Sequence, residues 1–389
     1  MKKIILMELN FRREAHLNAN AGFVQAHRQC FPDTVIHLVA DDSHIKAIKR
    51  ALNIDTDLVF FEHNIDFEKA QGSISRSGFN YYLAPFKRLL FIYSILRKIK
   101  AEQNDRVFFL SNTELDFFAV FVIKKILLRK IDVSLVCHGN LNLIHAWESN
   151  NPIRKYMNYR NSLKRLALTD IKLIVFEQFI KNNLLKEISM LKKNVSLIFH
   201  PFLCLSVVKK APIFPFRIAY VGEVNTTKRF YLFEKLAINL NQVCKDRFVF
   251  DVIGRSLQLD MDCSFYALKP SNKFLDSKEM ERLILNVDLI CMFHETEYYS
   301  LSPSGIFADA IRFLKPIIHL NSELVIYYET QFGTLGVGGE NIAEISHKLQ
   351  NLTKTDYVNM RHNLEKLKAG RGIEKTAASL LSLFDNEAV

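Results

Sequence analysis

Ser302-Pro303-Ser304-Gly305 stands directly ahead of an apolar-periodic stretch that reads as a helix over Ser304–Phe313. A serine cap followed by a small residue leaves backbone N–H groups free at a helix start. The helix dipole favours an anion there, and phosphate is the anion such ends commonly hold. Asp309 lies about one turn further in, where a carboxylate can accept hydrogen bonds from ribose hydroxyls while the N–H groups hold a diphosphate. Lys315-Pro316 ends this helix and opens the next strand. Lys228 and Arg229 follow a turn at Gly222, and Arg255 follows Gly254. A cation in these places neutralises charge that gathers on a departing diphosphate. The nucleotide-binding candidates are therefore Gly222, Lys228, Arg229, Gly254, Arg255, Ser302, Ser304, Gly305 and Asp309. Their plainer alternatives are an ordinary capped helix, a solvent-facing carboxylate and solvated surface cations.

A second group of candidates lies earlier in the chain. His138-Gly139 sits where a strand ends, and its imidazole can take a proton from a hydroxyl or hold a sugar. The competing reading is a structural histidine. Glu114 and Asp116, at the start of a helix, are rival bases; the competing reading is negative charge complementing the helix dipole. Asn10-Phe11-Arg12-Arg13 follows the first strand and is expected to contact a ligand. Metal chemistry finds little support. The D-x-D spacings are Asp55-x-Asp57 and Asp260-x-Asp262, beside strands or loops and in no recognisable metal-ligand pattern, so no metal and no other cofactor is expected. The six cysteines include no C-x-x-C, against a zinc ribbon or a disulfide framework and in keeping with a reducing compartment.

The elements that must hold these residues alternate. In the first half, apolar runs at 3–9, 35–40, 58–61, 106–111, 133–137 and 172–176 read as strands. Helical patterns lie between them, at about 15–29, from 43, at 81–100, 113–128 and 152–168. Residues 64–80 read as a polar loop. Lys209-Lys210-Ala211-Pro212 and Phe214-Pro215 mark a linker, and the alternation restarts. Strands follow at 217–221, 248–253, 289–293 and 316–320, with helices at about 230–243, 277–285, 304–313 and 376–384. Several strands are unbroken apolar runs, as in parallel sheets covered on both faces. The 389 residues thus divide into two α/β domains, 1–207 and 208–389, with the last helix able to pack back on the first domain.

Charge separates the halves. The chain carries a formal net charge of +11, and all of the excess lies in residues 1–207. Three clusters hold much of it: Lys87, Arg88, Arg97, Lys98 and Lys100; Lys124, Lys125, Arg129 and Lys130; Arg154, Lys155, Arg160, Lys164 and Arg165. Basic stripes beside aromatic and aliphatic groups suit an anionic membrane surface, at roughly 1 kcal/mol per cation near the lipid. The apolar run after Met1-Lys2-Lys3 is too short for a signal peptide, and no 18-residue window lacks charge, so no membrane-spanning helix is expected.

With these residues in place, the sequence resembles the GT-B glycosyltransferases, most of all over about 215–350. Arg217–Gly222 followed by Lys228 looks like that family's entry to the donor domain, and Phe248–Gly254 resembles its second strand. Asp309-Ala310-Ile311-Arg312-Phe313-Leu314-Lys315-Pro316-Ile317-Ile318 resembles the E-A-x-x-x-G-K-P-V-I segment. Three positions depart from the pattern. Leu301 stands where retaining members carry a first acid, with Glu295 or Glu297 as replacements. Leu314 stands for a glycine, and Glu223 for an arginine found in many members.

The resemblance implies two Rossmann-like α/β/α domains facing a central cleft: a basic acceptor domain and a nucleotide-sugar domain. It implies a metal-independent glycosyltransferase acting on a glycan or lipid-linked acceptor, in bacterial cell-surface polysaccharide synthesis at the cytoplasmic membrane face. The expected partners are a nucleotide-sugar, that acceptor and an anionic membrane surface. A nucleotide-sugar epimerase of the same fold is the enzymatic alternative, which would need no basic membrane-facing half. A non-catalytic nucleic-acid binder is the other, disfavoured because the chain has no zinc finger, no aromatic RNA-binding motif and no basic tail.

Overall fold

The computed structural model describes residues 3–53, 58–62, 79–126, 131–145, 155–156, 158–201, 203, 213–226, 228–256, 264–273, 275–293 and 300–385. Two compact units divide the chain. One is Met1–Leu203 together with Ile373–Val389, and the other is Cys204–Gly372. The composition of the sequence places the boundary at 207/208, a few residues later, with the last helix in the second domain but able to pack back on the first.

The first unit is built on a parallel sheet of β1 (Lys3–Met7), β2 (Val35–Ala40), β3 (Leu58–Glu62), β4 (Arg106–Phe109), β5 (Asp132–Val136), β6 (Lys172–Val175) and β7 (Val195–Leu197). Its order is β3-β2-β1-β4-β5-β6-β7. Helices α1 (Leu17–Cys30), α2 (Asp42–Leu52), α3 (Phe79–Lys98), α4 (Glu114–Ile126), α5 (Tyr159–Leu166) and α6 (Gln178–Glu187) connect the strands. The strand runs are apolar on both faces because helices cover both, so Ile4, Ile5, Leu6 and Met7 are all buried. β1 pairs with both β2 and β4, so the chain turns one way from β1 and the other way from β4. Ligands in open α/β sheets bind at the carboxyl ends of two such diverging strands.

The second unit repeats the plan with β8 (Phe216–Val221), β9 (Phe248–Ile253), β10 (Tyr266–Leu268), β11 (Leu289–Met292), β12 (Ile317–Leu320) and β13 (Gly336–Gly339). Its order is β10-β9-β8-β11-β12-β13, which puts the divergence between β8 and β11. Its helices are α7 (Phe230–Val243), α8 (Ser277–Leu285), α9 (Gly305–Phe313), α10 (Glu323–Phe332), α11 (Ile342–Gln350) and α12 (Lys354–Ala369). Local chemistry sets where they start. Asp276 and Asn341 accept backbone N–H bonds ahead of α8 and α11, and Thr353 with Asp356 forms a capping box on α12.

The last helix, α13 (Ile373–Asp385), belongs to the first unit. Ile373, Leu380 and Leu383 share a core with Ile4, Leu6, Phe23 and Phe176. Cys30 Sγ donates to the Ala377 carbonyl at 2.9 Å, and Lys172 Nζ to the Leu383 carbonyl at 2.8 Å.

The basic clusters need correction. Arg88 is buried against Asp116, and Lys124 is buried, paired with Asp170 at 2.8 Å and bonded to the Ile131 carbonyl at 2.6 Å. Neither can face a membrane. Lys87, Arg97, Lys98 and Lys125 are exposed, and beside them so are Phe86, Leu90 and Ile126, at 57%, 63% and 67%. Arg129, Lys130 and Arg154 lie outside the described residues. No helix among the described residues is long and apolar enough to cross a membrane.

Candidate functional site

In the first unit the carboxyl ends of β1 and β4 are joined by a buried polar network. Glu8 is buried immediately after β1, and burial pushes its carboxyl up from the usual range. It is held by donors on every side: the N–H groups of Asn10 at 2.9 Å and Phe11 at 3.1 Å, the Asn20 amide at 2.9 Å, and the Ser111 hydroxyl. Asn10 then spans the divergence. Its amide N–H groups reach the Ser111 carbonyl and Asp116, and its oxygen accepts from Arg88.

Asp116 was one of the candidate bases. Its oxygens accept from Arg88 Nε at 2.5 Å, the Asn10 amide at 3.1 Å, and the Thr113 N–H and hydroxyl at 2.8 and 3.0 Å. These four bonds hold the start of α4 and engage the carboxylate in the structure. Glu114, the other acid, is half-buried in the first turn of the same helix. Nothing in the sequence around Glu8 or Arg88 signals this network, apart from a charge closing an apolar run.

His138 follows β5, with Gly139 at φ 85° giving the turn its left-handed backbone. Its Nδ1 lies 3.0 Å from His16 Nδ1, and its ring meets Phe176 and His200 edge-on at 5.1 and 5.2 Å. Burial, then the neighbouring His16 and His200, push its imidazolium well below the ordinary histidine range, so the ring is neutral near pH 7. His16 falls to about 4, chiefly by burial and then by His44. No motif in the sequence points to His16 or His200 as partners of His138.

In the second unit, candidates converge on the divergence of β8 and β11. Gly222 ends β8 at φ 120°, and Gly254 ends β9. A Cβ on Gly254 would lie 1.8 Å from the Gly222 carbonyl oxygen, so only glycine allows the two strand ends this approach. A Cβ on Gly222 would lie 3.0 Å from Lys228 Nζ, which places that ammonium over the Gly222 backbone. Burial lowers the pKa of Lys228, opposed by Glu223. Arg255 is engaged by Glu223 at 2.7 Å. Arg229 occupies a left-handed position ahead of α7.

From β11 comes α9. The Ser304 hydroxyl accepts the Phe307 N–H at 3.2 Å and itself approaches Met292 Sδ at 3.6 Å, while Ser302 is also buried. The N–H groups of Gly305 and Ile306 have no hydrogen-bond partner among the described residues. A Cβ on Gly305 would meet nothing within 4 Å, so space lies open at the helix start. Asp309 is half-buried in the next turn. Burial, with a contribution from Glu281, raises its carboxyl to about 6 against the opposing pull of Arg312. Lys315 serves structure instead: its ammonium binds the Leu285 and Val287 carbonyls at 3.0 and 2.6 Å. Glu295 and Glu297, Asp55 and Asp57, and Asp260 and Asp262 lie outside the described residues.

The sequence matches no protein-family model and no curated protein. The fold does match solved structures over its whole length. A variant of TarM from S. aureus, solved with Fondaparinux, alpha-GlcNAc-glycerol and UDP, is similar at a TM-score of 0.64 and 12% identity, covering 99% of this chain and 100% of that one. HepE from Anabaena, solved with UDP and glucose, gives 0.63 and 12% over 99% and 100%. A glycosyltransferase from Rickettsia africae gives 0.61 and 13% over 99% and 98%. At such identities the likeness establishes architecture: the chain has the GT-B glycosyltransferase fold.

Proposed function

We propose that the chain is a metal-independent glycosyltransferase, moving a sugar from a nucleotide-sugar to a glycan or lipid-linked acceptor in bacterial cell-surface polysaccharide synthesis. The observations that carry this reading are Lys228 in the connection after β8 and the open start of α9 in the connection after β11, the two neighbouring strands where the second sheet diverges. The structural neighbours solved with UDP support the donor class.

On this reading the donor diphosphate meets the Gly305 and Ile306 N–H groups, and Lys228 balances the charge that grows as the sugar–phosphate bond breaks. Lys228 is partly desolvated, which strengthens its pull on an anion. Asp309, with a carboxyl near 6, is mostly ionised at pH 7.5 and accepts from the ribose hydroxyls. His138, neutral near pH 7, takes the proton of the acceptor hydroxyl or holds the sugar.

The first unit's surface supports a peripheral place at the inner face of the cell membrane. Phe86 and Leu90 stand among Lys87, Arg97 and Lys98 on α3. Apolar side chains enter the headgroup region while the cations meet anionic lipid.

The test is release of nucleoside diphosphate from UDP-, GDP-, CMP- and dTDP-sugars (nucleoside monophosphate for CMP), with acceptor extracts. One nucleotide-sugar should be consumed, and Lys228→Ala should lose that activity. No consumption of any donor would contradict the reading.

A further inference from the structure

Three imidazoles meet in the first unit, and the function proposed above uses one of them. His16 and His138 have ring centroids 4.1 Å apart and planes 69° apart, and their Nδ1 atoms are 3.0 Å apart. Such a contact carries one proton, because two lone pairs or two N–H groups facing each other repel. While both rings are neutral they therefore hold opposite tautomers.

His16 is firmly held. It stacks on Phe11 at 3.8 Å, and it sits at φ 57°, three residues after Arg13 at φ 52°. Left-handed backbone at a residue other than glycine persists where the surroundings over-determine it. Here the support is explicit. The Asn20 amide donates to Glu8 Oε2 at 2.9 Å and, with its other hydrogen, to His44 Nε2 at 3.0 Å. His44 must then carry its proton on Nδ1, which donates to the Arg13 carbonyl at 2.7 Å. Glu8 also fixes Asn10 and Phe11, so the whole turn from β1 to α1 is tied to one buried carboxylate.

The two rings differ in their ability to accept a further proton. His16 is the N-cap residue of α1, a 14-residue helix, and a helix N-terminus disfavours a cation. His138 follows a strand, and its Nε2 has no hydrogen-bond partner among the described residues. The ionisable groups facing the pair are His44 beside His16, His200 beside His138, and Glu8 by way of Asn20.

We propose that His16 is the positioning residue for His138: His138 donates its Nδ1–H to the Nδ1 lone pair of His16, which keeps His138 Nε2 bare and able to accept a proton. In the transfer, the acceptor hydroxyl oxygen forms the new bond to the sugar carbon. Its proton goes to His138 Nε2, and the electron pair of the broken bond leaves with the diphosphate. The His138 imidazolium keeps its Nδ1–H bond to a neutral His16, so no existing bond breaks as the proton arrives. This rests on the reading of His138 as the group that meets the acceptor.

The experiment is nitrogen NMR of the ¹⁵N-histidine-labelled full chain near pH 7.5, with turnover measured in parallel. His138 should show a protonated Nδ1 and a bare Nε2, and His16 the reverse. In His16→Phe, which keeps the stack on Phe11, His138 should pass to a mixture of tautomers, and turnover should fall by about 10²-fold or more with little change in donor KM. In His16→Asn, whose amide oxygen can replace Nδ1 and which tolerates left-handed backbone, the single tautomer should return. A parent His138 protonated on Nε2, or a tautomer unchanged in His16→Phe, would overturn the proposal. Loss of the tautomer with parental turnover would leave the pairing standing but overturn its part in catalysis.

Discussion

Arg88 Nε lies 2.5 Å from Asp116 Oδ1 with both side chains buried, and Asn10 bridges the two. The contact ties α3 to the start of α4 at the point where the first sheet diverges. Removing one partner strands the other charge in a dry site, which costs about 3–5 kcal/mol. Asp116→Ala and Arg88→Ala should therefore each lower the urea midpoint sharply, and the double variant should lose less than the sum. A fully stable Asp116→Ala with lost turnover would return Asp116 to the candidate bases.

Gly254 and Gly305 should respond oppositely to alanine. At Gly254 the methyl would overlap the Gly222 carbonyl, and forcing the strand ends apart should cost about 1–3 kcal/mol or more. At Gly305 the space is open, and alanine should raise stability by about 0.4–1 kcal/mol through the unfolded chain. Thermal unfolding of the two variants decides this, and equal effects would refute the close approach of β8 and β9.

Asp309 sets a pH dependence. Its carboxyl is raised from 3.8 to about 6, mainly by burial, so the folded chain keeps a proton that the unfolded chain has lost between those values. Stability contributed at this position falls as pH rises from about 4 to 6 and stays low above that. Asp309→Asn should therefore stabilise the protein at pH 7.5, by on the order of 1–3 kcal/mol, with no gain below about pH 4. The same variant should bind nucleotide-sugar more weakly. A gain that persists unchanged at low pH would show that the carboxyl is not raised.

The exposed face of α3 should bring the protein down with anionic vesicles at low salt and release it at high salt, since the attraction is screened within about 8 Å at physiological ionic strength. Replacing Lys87, Arg97 and Lys98 with Gln should weaken cosedimentation, and so should replacing Phe86 and Leu90 with Ser. Arg88→Gln should act on stability instead. A parent protein that stays in the supernatant would contradict the membrane reading.

Much of the sheet framework is legible in apolar runs such as Val35–Ala40, five of whose six residues are buried. β13 is hidden because Gly336–Gly339 holds one apolar side chain, and β7 and β10 because three residues make no pattern. The α9 cap can be read from Ser304 and Gly305, since capping is local. Arg88 and Lys124 read as members of membrane-facing basic clusters because a cation on a helix gives no sign of burial until its partner is known, and Asp116 stands 28 residues from Arg88. His16 gives no signal in the sequence for the same reason, its partner His138 being 122 residues away.

The central claim is that Lys228 and the start of α9 hold a nucleotide-sugar, and a thermal-shift panel of UDP-, GDP-, CMP- and dTDP-sugars tests it most directly. A donor at 100 times its Kd adds about 2.7 kcal/mol of stability. One nucleotide class should raise the Tm of the parent, of His16→Phe and of His138→Ala, and leave Lys228→Ala unmoved. No shift with any nucleotide-sugar at millimolar concentration, or the same shift in Lys228→Ala, would contradict the account.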